Sequence, residues 1–273
     1  MDNRPIGVFD SGLGGLTAVK ELIRVLPGEK ILYFGDTGRV PYGTRSRETL
    51  IRYTREDIAF LSSMGVKRIL IACGTASTVL DAIEPDPLIP VSGVLYAASR
   101  KAVAATKNGR IGLIATASSI RSGLYEKIIA SMAPGFSVTS RATPLLVPLI
   151  EAGRIHRGDV VLETVVREYL DPIREAGVDV LILGCTHYPI IRDVIGDVMG
   201  GGVTLVDAGA AAAEEIQNAL SAEDALSDGR DPGVSFYVTD FPEGFASVGS
   251  MFLGSEIAGR TQKIDITEKH TPH

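Results

Sequence analysis

Only two cysteines occur in 273 residues, and neither sits in C-x-x-C spacing. H-E-x-x-H is absent as well, so a zinc site, which wants three or four ligands at such intervals, is not expected. No run of about 18 apolar residues is available to span a bilayer. The opening stretch MDNRPIGVFDSGLGG has no long apolar segment of the secretion-signal type. Together with the scarcity of cysteine, this makes a reducing cytoplasm the expected compartment and disfavours a structural disulfide. Positive charge is also short. A formal net charge of -6 argues against a non-specific nucleic-acid binder, which needs a basic surface to displace phosphate counterions. No Pro/Ser-rich linker marks a boundary. The glycine-rich DSGLGG lacks a G-K-[ST] ending and does not fit G-x-G-x-x-G, so a nucleotide reading is weak.

What is present is a chain rich enough in apolar residues to bury a large core: 45% hydrophobic and 22% charged, with a mean hydropathy of +0.20. Its length suits one large or two small domains. Short apolar runs recur at 6–9, 30–34, 68–72, 110–115, 178–184 and 203–207. They are rich in Ile, Val and Leu without polar alternation, which predicts strands buried on both faces, parallel and covered by helices. Between them, Leu16, Val19, Ile23 and Leu26 recur at helical spacing, as do Leu124, Ile128 and Met132. Residues 207–220 are Ala-rich and predict a further helix. This is the α/β doubly wound pattern, in two similar halves joined near 96–108. The tail beyond about 262 is polar and expected to be loose.

In open parallel sheets, ligands bind beyond the carboxyl ends of strands. The chemically capable residues fall there: Asp10 and Ser11 after the first strand, Cys73 and Thr75 after the third, Thr116 after the first strand of the second half, and Cys185, Thr186 and His187 after a later one. Pro189 fits the first turn of a helix, which places Thr186 and His187 at a helix N-terminus, as TASTVL places Thr75. Free N–H groups there invite a carboxylate. An isolated cysteine is usually a small buried hydrophobe. Two at matched strand ends, each with a threonine close behind, point instead to chemistry. His187, beside Cys185, can orient or protonate a thiol. His156, His270 and His273 have no such setting and read as surface groups.

Two thiols facing one carbon do what a single base cannot. One removes a proton from one face of a stereocentre while the other returns a proton to the opposite face, and the centre inverts. A thiol pKa near 8.5 is easily moved towards the working pH, where acid–base transfer is most efficient. No lysine is placed to announce a pyridoxal Schiff base, so no cofactor is expected.

IGVFDSGLGGLTAVKEL, YFGDTGRVPYGTRS, ILIACGTAS, LLVPLIEAG and LILGCTHYP follow one another over residues 6–189, with LVDAGAAAAEEI beyond. In these stretches the chain resembles the cofactor-independent glutamate racemases of the aspartate/glutamate racemase superfamily. The resemblance implies two pseudo-symmetric flavodoxin-like domains with mostly parallel sheets, 1–97 plus 208–273 and 98–207, and an active site in the cleft between them. It implies that Cys73 and Cys185 are the catalytic acid/base pair, assisted by Asp10 and His187 respectively. Asp10, Ser11, Tyr42, Gly43, Thr75, Thr186 and His187 would line the substrate site, together with Gly74, Thr116 and Ser119, and Glu151 matches an acidic position near the cleft. The substrate would be glutamate and the product D-glutamate for peptidoglycan, with a homodimer as the common assembly and no nucleic-acid or membrane partner. The chain departs from the family motif C-N-T-A-S at Gly74, removing an amide expected to contact substrate. Such a loss typically costs about 1.5 to 3 kcal/mol. Ser119 stands where threonine is common, Thr143 where cysteine is common, and GVLYAAS replaces a more typical GVIEPGA. A racemase for aspartate or another amino acid, and a non-catalytic amino-acid-binding relative, are the alternatives.

Overall fold

A computed structural model describes residues 1–84, 86–255, 257 and 260–266. His270 and His273 lie outside them. β1 (Ile6–Asp10) is buried along its whole length, and its apolar run without polar alternation suits a position covered on both faces. It forms the centre of a first sheet with β2 (Lys30–Gly35), β3 (Arg68–Ile71) and β4 (Val91–Gly93), extended beyond β2 by β9 (Gly233–Val238) and β10 (Thr261–Lys263). The strand order is β10-β9-β2-β1-β3-β4. A second sheet holds β5 (Arg110–Ala115), β6 (Ser137–Ala142), β7 (Val180–Leu183) and β8 (Thr204–Asp207) in the order β6-β5-β7-β8. Every strand pairing is parallel.

The order β2-β1-β3-β4 in the first sheet repeats as β6-β5-β7-β8 in the second. β3 and β7 are therefore equivalent strands, each next to the central strand of its sheet. Ile71 pairs with Phe9 at the end of β3, and Leu183 pairs with Ile114 at the end of β7. The two cysteines follow these two strands. The two-half pattern read from the sequence thus has a topological counterpart.

Helices cover the sheets, and their ends follow ordinary capping chemistry. Ser46 caps Arg47–Ser63, Asp159 caps Val160–Glu175, and Asp207 caps Ala208–Ala222, with carboxylate-to-amide distances of 2.8 and 3.1 Å in the last case. The Ala-rich helix thus starts one residue later than expected, with Asp207 outside it as the cap. Ala208–Ala222 packs on Leu16–Val25 and on Val94–Ala105, carrying the chain back to the first sheet. In Leu16–Val25 the buried positions include Leu22, whereas Ile23 is exposed, so the apolar stripe sits slightly off the expected one. A buried ion pair ties the base of the first sheet together: Lys67 Nζ stands 2.7 Å from Glu29 Oε2 while donating to the carbonyls of Asp2 and Ala225.

Four strands escape the reading from apolar runs. β4 has only three residues, β6 and β10 are polar edge strands, and β9 is half-buried. β10 corrects the expectation of a loose tail for its first residues, 263–264, while the tail from 267 on lies outside the described residues. Lys263 lies within the sheet, and the Ile264 N–H donates to the Val238 carbonyl. Among the described residues, no helix is long and apolar enough to cross a membrane.

Candidate active site

Asp10 ends β1 in the core, 1% exposed, and accepts a hydrogen bond from the Gly12 N–H at 2.9 Å. Burial holds its pKa above the usual carboxylate value, only partly offset by the charge of His187 and the Gly12 N–H. Cys73 leaves β3 as the N-cap of a one-turn helix, Gly74–Ser77, and its sulfur accepts from the Ala76 N–H at 3.4 Å. The thiol donates to Ser11 Oγ at 3.7 Å. Burial first, and then the nearby charge of Asp10, push the Cys73 thiol up to about 12.

Across from it, Gly184 and Cys185 leave β7. Cys185 Sγ is 3.8 Å from His187 Nδ1, and His187 Nε2 is 2.9 Å from Glu151 Oε1. Phe252, in the helix Pro242–Leu253, packs edge-on against the imidazole with ring centroids 5.3 Å apart. Burial by itself would lower the His187 pKa, but Cys185, Glu151 and Asp10 outweigh it and raise the group to about 10. An imidazolium held there can offset negative charge on the Cys185 sulfur.

This raised value sets a sign for the pH dependence of stability. Protonated His187 contributes in full below about 6.5, and the contribution is lost as pH rises through about 10. Urea denaturation of the wild type and His187→Asn should therefore show the larger stability gap near pH 6.5 and a smaller one at pH 10. A gap that widens with pH would contradict the imidazolium assignment.

The two cysteine loops are in contact. A Cβ built on Gly74 would lie 2.6 Å from the Gly184 carbonyl oxygen. A Cβ on Gly14 would lie 2.1 Å from Thr186 Oγ1 and 2.6 Å from His187 Nδ1. Both approaches require glycine. Thr17 Oγ1 donates to the Thr186 carbonyl at 2.8 Å, and Thr186 Oγ1 to Asp10 Oδ1 at 3.5 Å, so Asp10 bridges toward the second cysteine's loop as well as lying near the first. Thr75 Oγ1 and Thr116 Oγ1 are 2.9 Å apart, and Thr116 caps its own helix through the Ser119 N–H while touching Ser119 Oγ at 3.0 Å. Gly43 approaches the Thr116 side chain.

Every sequence-predicted site residue thus falls within these connected loops, with one qualification. The phenol of Tyr42 is buried away from this ring, donating to a carboxylate pair formed by Asp36 (2.5 Å) and Asp57 (2.8 Å), which Arg39 also bridges. Gly43 therefore reaches the ring where the Tyr42 side chain does not. The helices that follow the cysteines are shorter than the sequence implied: one α-turn after Cys73, and a 3-10 segment, Tyr188–Ile191, after Cys185. Their contribution is free N–H groups more than a long helix dipole. Gly14, Gly184 and Phe252 are functional neighbours that the sequence did not reveal. Gly14 is visible in DSGLGG, but nothing local names its partner.

The sequence profile of the Asp/Glu/Hydantoin racemase family matches residues 12–216. A glutamate racemase of Geobacter metallireducens is 45% identical over 256 residues, which is 93% of this chain and 94% of that protein. The crystal structure of a glutamate racemase isoform from Bacillus anthracis superposes with a TM-score of 0.92 at 34% identity, covering 97% of this chain and 98% of that one. A glutamate racemase from Francisella tularensis, solved in complex with D-glutamate, gives 0.90 at 38% identity, covering 98% and 100%. Two parallel sheets with equivalent strand orders, two cysteines at equivalent strand ends and this breadth of likeness lead to one conclusion: the chain belongs to the Asp/Glu/Hydantoin racemase family.

Proposed function

We propose that this chain is a cofactor-independent glutamate racemase in which Cys73 and Cys185 serve the two faces of the substrate's α-carbon. The observation that carries this reading is the placement of two free, buried cysteines after the equivalent strands β3 and β7, on loops that touch through Gly74 and Gly184. In one direction the Cα–H bond breaks as a thiolate on one side takes the proton. The thiol on the other side then gives its proton to the opposite face, and its S–H bond breaks as the new C–H bond forms. The reverse reaction exchanges the two roles. Asp10, close to Cys73, and His187, held by Glu151 beside Cys185, assist these transfers.

Ser11, Gly43, Gly74, Thr75, Thr116, Ser119 and Thr186 surround the substrate and hold its carboxylates through hydroxyl and backbone N–H donors. Residues 1–97 with 208–273 act as one unit and 98–207 as the other, closing on the substrate from both sides. The product, D-glutamate, would serve peptidoglycan synthesis in the cytoplasm. The test is incubation of each glutamate enantiomer in D2O. Both are expected to invert and to gain deuterium at Cα, because each returning proton comes from a thiol that exchanges with solvent. Exchange into aspartate or a longer homologue in place of glutamate would replace the substrate. Exchange into none of them, with binding intact, would favour a non-catalytic binding protein.

A further inference from the structure

No lysine or arginine is hydrogen-bonded to Cys73, Cys185, Asp10 or His187 among the described residues, and Asp10 and Glu151 place acidic groups around the thiols. An anionic substrate must nonetheless reach this interior from solution, past a surface with a formal net charge of -6. Beside the site lies a cavity of about 500 Å³ whose rim carries Arg45, Arg47, Arg121 and Lys127 against the single acid Asp81. Arg47 is engaged by Asp81 at 3.0 Å and by the Thr78 carbonyl at 3.2 Å, and Arg45 reaches the Arg39 carbonyl at 3.4 Å. Arg121 and Lys127 are exposed, and among the described residues neither side chain has a hydrogen bond or an ion pair. Two cations facing a cavity are thus left for a ligand.

The cavity is built from both halves. Arg45 and Arg47 precede and open the helix Arg47–Ser63, Thr78 follows the one-turn helix behind Cys73, and Arg121 and Lys127 lie on the helices after β5. The same elements carry the threonines of the site. Thr78 Oγ1 donates to the Thr75 carbonyl at 2.7 Å, and Ser118 lies between Thr116 and Ser119 in the helix that Thr116 caps. The hydrogen bond between Thr75 and Thr116 joins the two walls next to the cavity.

We propose that this cavity is an antechamber for an acidic amino acid, whose carboxylate is held by Arg121 and Lys127 before the Thr75–Thr116 hydrogen bond parts and admits it to the thiols. This rests on the racemase reading above and adds a route and a charge requirement to it. The field of two unpaired cations draws the anion to the cavity mouth, and at low salt, where the Debye length exceeds about 10 Å, it is screened least.

The test uses the double variant Arg121→Gln/Lys127→Gln. At an ionic strength of about 20 mM, kcat/KM for either glutamate enantiomer should fall roughly three- to tenfold with kcat unchanged, and the gap to wild type should shrink to within about twofold at roughly 0.5 M. Equal kcat/KM at low ionic strength, or a loss that persists undiminished at high salt, would overturn the antechamber. Calorimetric binding of D-glutamate separates this inference from the reading beneath it. If the wild type binds without turning over, and binding still weakens in the double variant at low salt only, the two-thiol mechanism falls and the antechamber stands. If turnover is normal and neither binding nor kcat/KM responds to the charges, the antechamber falls alone.

Discussion

Cys73→Ala should lose inversion of glutamate by about a thousandfold or more while continuing to exchange the α-proton of one enantiomer. The magnitude follows from losing a positioned acid–base group, which contributes roughly 10² to 10⁴, at a step that has no substitute donor on that face. The asymmetry follows from geometry. With only Cys185 present, a proton can leave and return on one face, so one enantiomer acquires deuterium from D2O and keeps its configuration. Cys185→Ala should show the complementary pattern on the other enantiomer. The cost to folding should be modest for Cys73, whose sulfur caps a single helical turn through the Ala76 N–H, an interaction worth about 0.5–2 kcal/mol. Chiral analysis of the product, deuterium content by mass spectrometry and a urea melt separate these effects. Inversion within tenfold of wild type in either variant would remove that thiol from the mechanism.

Gly74→Ala carries the second large effect. The added Cβ would meet the Gly184 carbonyl oxygen at 2.6 Å, a backbone atom that can move only if the loop bearing Cys185 moves with it. A displacement near 1 Å at a reacting group can cost about a hundredfold in rate, so kcat should fall by that order. Stability should change by about 1–3 kcal/mol, the usual range for overpacking a well-fitted site. The same argument gives Gly74→Asn an outcome opposite to what the resemblance alone suggests. Asparagine is common at this position in the family, yet in this chain its Cβ meets the same carbonyl, so restoring the amide should lower kcat and not recover affinity. Steady-state kinetics of both variants decide the matter, and a kcat within threefold of wild type for Gly74→Ala would show that the two loops have room to part.

Strands β1, β2, β3, β5 and β7 are legible because each is an apolar run, most of it buried between helices, and burial on both faces leaves a signature in composition, while β8, at an edge of the second sheet, shows through its short apolar run alone. The polar edge strands β6 and β10 are not. Thr261, Gln262 and Lys263 in β10 look like any polar tail, and what makes them a strand is pairing with β9, which in turn pairs with β2 some two hundred residues earlier in the chain. The site divides in the same way. Cys73, Cys185, Asp10 and His187 stand out because reactive side chains follow strand ends, and strand ends can be read locally. Tyr42 stands in the same motif as Gly43, but its phenol turns to Asp36 and Asp57, a choice made by buried carboxylates in need of a donor.

Local patterning in this chain was enough to decide the α/β class, the two-half organisation and which side chains stand at the carboxyl ends of the strands, since burial and turn chemistry act over a few residues. Which surfaces meet was decided only by tertiary packing: Gly14 on Thr186 and His187, Gly74 on Gly184, Glu151 and Phe252 on His187, and a cationic cavity assembled from both halves. Those contacts join segments that are far apart in the chain, and no periodicity within either segment records the shape or charge of the other.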